Sequence, residues 1–427
     1  MKYFGPRRCL VIAALFILSV FSTLATARAA DWPQWLGPRR DGSTTEKVAL
    51  WTDATAPKAL WRAEVGNGYA IPVVADGRVY VHARGSNLDK EEEEVIAFDA
   101  ATGKVLWRDA YARPAFNSVL GTGPRASPTV AGKRLYTTGI NGLITCYDVE
   151  QGKRLWQVDL YDRFQAELPN FAVCCSPLVI GNRVVVSVGG NGRCVVALHT
   201  DTGETVWQSL DDAASTSSPV LFAAGPRTAG SAPDVVFMTP LRIFGLDPID
   251  GVLRWEHPMV FQPSGTSPTP LVFRDSLVTS TQAHGALAVR VKSHEETAKA
   301  ESAWQLAEAK SYFSSGVAVD RLLILVTNVV EVLPNASLTC LDGSTGKQLW
   351  KKSGAGYFHA GLIRTGDKKL LCLNDSGLLT LLEIDDQGAK ELSRASVCGG
   401  TLVAPVLADG RLYVRDGKEL IAWTFAK

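Results

Sequence analysis

The sequence predicts an all-β fold built from one repeated four-stranded unit, and three observations predict it. The first is a recurring pattern, Asp-x-x-x-Gly-x-x-x-Trp, present as Asp99, Gly103, Trp107; as Asp148, Gly152, Trp156; as Asp247, Gly251, Trp255; and as Asp342, Gly346, Trp350. His199, Gly203 and Trp207 form the same unit with His in the first place, while Trp61 and Trp304 keep only the tryptophan. The second is spacing: from Trp61 to Trp350 the seven tryptophans fall 46, 49, 51, 48, 49 and 46 residues apart, and a fixed period in this range marks a repeat array. The third is composition. In 427 residues, 11 Trp stand beside only 3 Met, which gives tryptophan a repeated structural role and argues against a plastic, helix-rich core.

Within one unit, residues 126–132, 133–139, 143–149 and 154–160 read as short strands broken by Gly, Asn and Asp, hence as antiparallel hairpins. The Asp and Gly of the pattern belong to the third turn, where Asp can bond its own backbone and Gly can take a positive φ. The Trp then sits on the outer strand, as a wedge between neighbouring sheets. Four-stranded sheets repeated about an axis are the blades of a β-propeller. Six units lie between the seven tryptophans, and a seventh, 357–392, is degenerate, with Gly388 kept and Leu392 where Trp is expected. After it come only three strands, 401–408, 411–415 and 420–425; the missing fourth is expected at 59–65 around Trp61. Pairing the two ends closes the ring and hides an edge. The result is an eight-bladed β-propeller of four-stranded antiparallel blades, the last closed by the N-terminal strand; seven blades would leave 357–392 outside the ring.

Ahead of the ring, Lys2, Arg7 and Arg8 precede an apolar run over 10–24 that leads to Ala27-Arg28-Ala29. This reads as a secretory signal peptide, 1–29, cleaved after about Ala29. A lead-in or cap segment over 30–58 follows, with Trp32 and Trp35 expected to cap the propeller, and then the propeller over 59–427. Without 1–29 the chain keeps 40 basic against 43 acidic residues, a balance that attracts no nucleic acid. The expected location is periplasmic or secreted, with no transmembrane domain after leader removal and a monomeric state.

The units resemble the PQQ-like propeller repeats shared by quinoprotein alcohol dehydrogenases and by BamB, the propeller subunit of outer-membrane assembly. The resemblance covers residues from about 59 to 425 and implies the fold; its members include cofactor enzymes and cofactor-free scaffolds alike. In a propeller the loops entering the inner strands ring one mouth of the channel, the default ligand site. Aligning inner-strand starts places Tyr69, Arg125, Phe171, Cys174, Cys175, Tyr312, Phe313, Tyr357, Phe358 and His359 there, with Thr216, Thr266 and Thr401. These side chains suit either a flat or anionic small molecule or a packed lid.

The resemblance implies, for an enzyme, PQQ held beside calcium, an Asp base and often a vicinal disulfide on the quinone. Cys174-Cys175 is a vicinal pair, but Ser176-Pro177 follows where the family motif has Asp, so the pair reads as small apolar residues. Calcium needs several oxygen ligands, usually carboxylates, and only Glu167 and Asp211-Asp212 lie near the mouth. The function read from the sequence is therefore a non-catalytic binding or assembly scaffold, possibly BamB-like, with no cofactor expected and with envelope proteins or a small ligand at the mouth as partners. The alternative is a PQQ-dependent quinoprotein dehydrogenase.

Other signals fail on context. Gly121-x-Gly123-x-x-Ala126 leads into a strand rather than a helix, and His294-Glu295 lacks a second His at 298. The acidic run 89–94 reads as a solvated loop, and 292–310, rich in Ala, Glu and Lys, as a short inserted helix. Cys146, Cys194 and Cys340 are expected at equivalent third-strand places, as buried small hydrophobes rather than a disulfide framework.

Overall fold

The computed structural model describes residues 30–425 apart from 88, 119–120, 224–231, 260–266, 295–296 and 329–334. The expected leader and Thr266 lie outside the described residues. Eight four-stranded antiparallel sheets, seven of them simple meanders, make up almost the whole fold. Blade one runs Val73–Ala75, Arg78–Arg84, Glu92–Asp99, Val105–Ala112. Blade eight has Val406–Ala408, Arg411–Arg415 and Glu419–Thr424, and takes Lys58–Glu64 as its outermost strand. The ring is thus closed by the two ends of the chain. The first strands are three to five residues long, and those of neighbouring blades touch around the axis. Middle strands such as Val195–His199 are buried between two blades and read as near-continuous apolar runs, whereas outer strands such as Arg154–Asp159 alternate.

The repeat pattern acquires a physical meaning at the seam between blades. In each third turn the Gly N–H returns to the carbonyl of the first pattern residue, at 2.8–3.0 Å in all five copies. The Asp carboxylate accepts from the turn backbone, and His199 does the same through Nδ1, 3.2 Å from Asp201 N. The five glycines have φ of +67° to +76°. Each also lies flat under the indole of the preceding blade: a Cβ on Gly103, Gly152, Gly203, Gly251 or Gly346 would come within 2.4–2.7 Å of Trp61, Trp107, Trp156, Trp207 or Trp304. The same indole N–H donates to a carbonyl beside that turn, as Trp156 does to Thr200 at 2.9 Å.

A bulge sets the aim of each indole. On every outer strand the register slips at the residue before the tryptophan, so that Leu60, Leu106, Leu155 and Val206 turn to solvent while the ring swings inward. The residue paired with the Trp is always small: Ala422, Ala97, Cys146, Ala197, Gly245, Ala288 and Cys340 face Trp61, Trp107, Trp156, Trp207, Trp255, Trp304 and Trp350. Cys146 and Cys340 are therefore spacers under an indole. Cys194 is not their equivalent, since Ala197 holds that place in blade three. All seven cysteines of the described residues are free.

Further expectations are corrected. Residues 292–310 do not form a helix: strands Gly285–His294 and Thr297–Leu306 build one long hairpin in blade five. It packs on the outer strand of blade four, where Trp255 bonds Asp234 of its own blade at 2.9 Å instead of a neighbouring carbonyl. In blade seven the tryptophan register is held by Ser393, because the bulge falls on Leu392. Trp51 of the lead-in fills the vacancy: its backbone pairs with Ser393 Oγ, its indole donates to Arg394 O at 2.9 Å, and it packs on Phe425.

Another correction concerns the acidic run, of which only the first part is exposed. Glu93 and Glu94 lie on a buried strand. Burial alone would raise the Glu93 carboxyl, but bonds with His82, Tyr111 and Ile140 N outweigh it and hold it below the usual carboxylate range. Ile140 belongs to the stretch between the second and third strands of blade two, so this carboxylate ties two blades together.

Gly203→Ala and Gly181→Ala separate the wedge from backbone strain, because Gly181 has φ +56° and open space around it. Gly181→Ala should cost about 1 kcal/mol from the left-handed backbone alone, and Gly203→Ala roughly 1–3 kcal/mol more from crowding Trp156. Urea unfolding of the two variants measures the difference, and equal losses would mean that the indole does not need the glycine.

Candidate functional site

A lead-in strap closes one end of the ring. Trp32 exchanges backbone bonds with Val74 of blade one at 2.8 and 2.9 Å, and Pro33 O accepts from Val130 N of blade two. The buried Arg40 guanidinium donates to Ser176 O and Pro177 O of blade three at 3.2 and 3.0 Å. Its burial lowers its pKa to about 10, so it stays a cation at neutral pH. Thr44 N then bonds Arg364 O of blade seven, and Glu46 accepts from Gly410 of blade eight. Between these anchors, the Trp35 indole donates to Thr269 Oγ1 of blade five at 2.8 Å.

Trp35 forms the floor of a pocket of about 180 Å³ on the propeller axis, to which every blade contributes. Seven of the ten mouth candidates line it: Tyr69, Arg125, Phe171, Cys174, Tyr312, Phe313 and His359. Thr216 does so too, whereas Thr401 is spent on Arg415 O. Cys175 points the other way, into the core between blades three and four, because successive side chains of an extended segment alternate. Tyr357 and Phe358 stand outside the pocket, 65% and 39% exposed. Trp35, expected in the cap, also lines the mouth pocket; nothing local in the sequence says that a residue before the first blade returns to the axis.

Electrostatically the pocket is neutral apart from one cation. Arg125 is engaged by Phe171 O, Ser118 Oγ and Gly121 O. Burial pushes the Cys174 thiol up, and the neighbouring guanidinium offsets this only partly, so the group is a thiol at neutral pH. His359 is 7% exposed, and burial lowers its pKa to about 4. Its Nδ1 lies 2.7 Å from Ser314 Oγ and its ring 5.4 Å from Phe313, while Nε2 finds no hydrogen-bond partner among the described residues.

The adjoining loop is held at its backbone by side chains. Asp375 accepts from the backbone N–H of Tyr357, Phe358 and His359 at 2.9, 2.6 and 3.2 Å, and Asn328 Nδ2 holds Phe358 O. The two aromatic side chains are thereby presented to solvent on a fixed backbone.

The pocket lining does not fit a calcium-bound quinone. Among the described residues the lining contains no carboxylate, a usual ligand of calcium, and no three His, Cys, Asp or Glu side chains come together.

Comparison with known proteins gives a family match and a shared fold. The family model described as outer membrane protein assembly factor BamB matches residues 42–107, 91–352 and 334–426. Outer membrane protein assembly factor BamB of Yersinia pestis is 24% identical over 306 residues, 69% of this chain and 72% of that one. Among solved structures, BamB of Moraxella catarrhalis superposes with a TM-score of 0.58 at 15% identity, over 87% of this chain and 98% of its own. Quinohemoprotein alcohol dehydrogenase of Comamonas testosteroni does so at 0.64 and 14%, over 93% and 81%. At such identities the structural likenesses establish the fold alone.

His359 yields a pH dependence. Its folded pKa is depressed to about 4, so above the unfolded value near 6.5 it adds no slope, and as pH falls from there towards 4 only the unfolded chain takes the proton. Stability should therefore fall by about 2 kcal/mol between pH 7 and pH 5 from this group. His359→Gln should lack that part of the loss in urea unfolding at the two pH values; an unchanged slope would mean that the imidazole is not held neutral.

Proposed function

Because the chain belongs to the family of outer membrane protein assembly factor BamB, we propose that it is a non-catalytic propeller scaffold that works in outer-membrane protein assembly. The observation that carries this reading is the extent of the match, which runs through all eight blades and the composite closure rather than through one patch of repeats. The reading places the protein beyond the inner membrane, exported by its leader, as a monomeric ring. Among the described residues no helix is long and apolar enough to cross a membrane. Its partners are proteins of the outer-membrane assembly machinery, and its docking element is the mouth face, where Tyr357 and Phe358 stand exposed on a loop pinned by Asp375. Exposed aromatics on a fixed backbone lose little freedom on binding, which is the usual character of an interface anchor.

The quinoprotein dehydrogenase alternative is supported by the shared fold and by Cys174 at the pocket wall. Among the described residues the pocket lining offers no carboxylate that would hold calcium, and a cofactor-free function is the reading favoured here.

Photo-crosslinking in the native host tests the proposal. A crosslinker at Tyr357 should capture outer-membrane assembly proteins, and one at Leu155, on the outer strand of blade two, should not. The double variant Tyr357→Ala, Phe358→Ala should reduce capture about tenfold or more while changing stability by no more than about 0.5 kcal/mol. Equal capture from both positions, or calcium- and PQQ-dependent dye reduction by the purified protein, would overturn it.

A further inference from the structure

The axial pocket has a chemistry of its own that docking on the mouth loop does not use. Its floor is Trp35 and its walls include Tyr69, Phe171, Tyr312 and Phe313, with ring centroids of the last two 5.0 Å apart. The strap makes it blind, so a ligand enters from the mouth and stops on the indole. A volume of about 180 Å³ is close to the roughly 150 Å³ apolar cavity that accepts benzene. The terminal nitrogens of Arg125 are already engaged by Phe171 O, Ser118 Oγ and Gly121 O.

Two buried polar atoms of the lining are left over, Arg125 Nε and His359 Nε2, and the second belongs to a neutral group. His359 is neutral at physiological pH, packed against Phe313 and oriented by Ser314, yet its buried Nε2 has no partner among the described residues. Buried polar atoms in folded proteins are almost always satisfied, and an exception in a pocket wall points to a group that arrives with a ligand. A serine hydroxyl can donate to Nδ1 or accept from it, so Nε2 is able to accept or donate in turn.

We propose that this pocket binds a one- or two-ring aromatic molecule carrying a single hydroxyl or ring N–H, the ring lying among the aromatic walls and the polar group meeting His359 Nε2. The site is separate from the protein-docking reading and does not depend on it: the experiment uses the isolated protein, so failure of docking leaves its outcome untouched.

Isothermal titration calorimetry at pH 7 with p-cresol, indole, toluene, and PQQ plus calcium decides the matter. Cresol and indole should bind at least about tenfold more tightly than toluene, which matches cresol in shape but offers no polar group. His359→Leu should bring cresol down to the level of toluene, Phe313→Leu should weaken all three rings, and Leu155→Ser, far out on the ring, should change nothing. The proposal is overturned if no probe gives saturable heat up to about 5 mM, if wild-type protein binds cresol and toluene equally, or if PQQ with calcium displaces cresol. Should His359→Leu fail to fold, the comparison of cresol with toluene on the unaltered chain still decides.

Discussion

The contact between the indole of one blade and the left-handed glycine turn of the next is the constraint from which most of the architecture follows. The ring needs room that any Cβ would take, and the turn needs a φ that side chains resist; glycine answers both demands at one position. The indole N–H then finds a carbonyl beside the same turn, so a large apolar surface is buried without orphaning its polar atom. The bulge before each tryptophan and the small residue paired with it are the geometric conditions for laying the ring flat. Because each blade supplies a wedge to one neighbour and a turn to the other, the contact propagates around the axis.

Where the seam departs from this scheme, the protein substitutes another device of similar reach. Blade four is covered by the extended hairpin of blade five, and blade seven by Trp51 of the lead-in. At the closure between blades eight and one, Arg415 is fully buried and donates to the carbonyls of Ala70, His82 and Gly66 at 3.1, 2.9 and 2.6 Å. Its pKa is lowered by burial to about 10, with Asp416 and Glu94 acting in the opposite sense, so the staple is charged. Removing one partner from such a site leaves an uncompensated buried charge.

The repeat was legible in the sequence because it is local: Asp, Gly and Trp within nine residues describe one turn and one strand, and their period counts the blades. What could not be read is contact at long range. Trp51 and Ser393 are 342 residues apart in sequence, and neither carries a motif. The hairpin over 285–306 has helix-favouring composition, which its pairing and its packing on blade four override. Glu93 looks like one more charge in an acidic run; its burial depends on Tyr111 and Ile140. At the site, the phase of the inner strands found the ring of entry loops. Phase does not say which side of the backbone each side chain takes, so it cannot separate Cys174 from Cys175, or His359 from Tyr357 and Phe358, although their surroundings differ.

The composite blade also governs when the molecule can be finished. Lys58–Glu64 pairs with Glu419–Thr424, so the first strand to leave a ribosome or a translocation pore has no edge to join until the final strand has followed it. Seven complete blades can form in order while the chain is still emerging, each a local meander of low sequence separation. The first strand must wait for the whole array, whereas the strap finds anchors on blades one to three and Trp35 one on blade five; the axial pocket, lined by every blade, closes only with the ring. Assembly of the ligand site is thereby made the last event of folding, and a chain truncated at either end would keep most of its blades yet never complete the chamber.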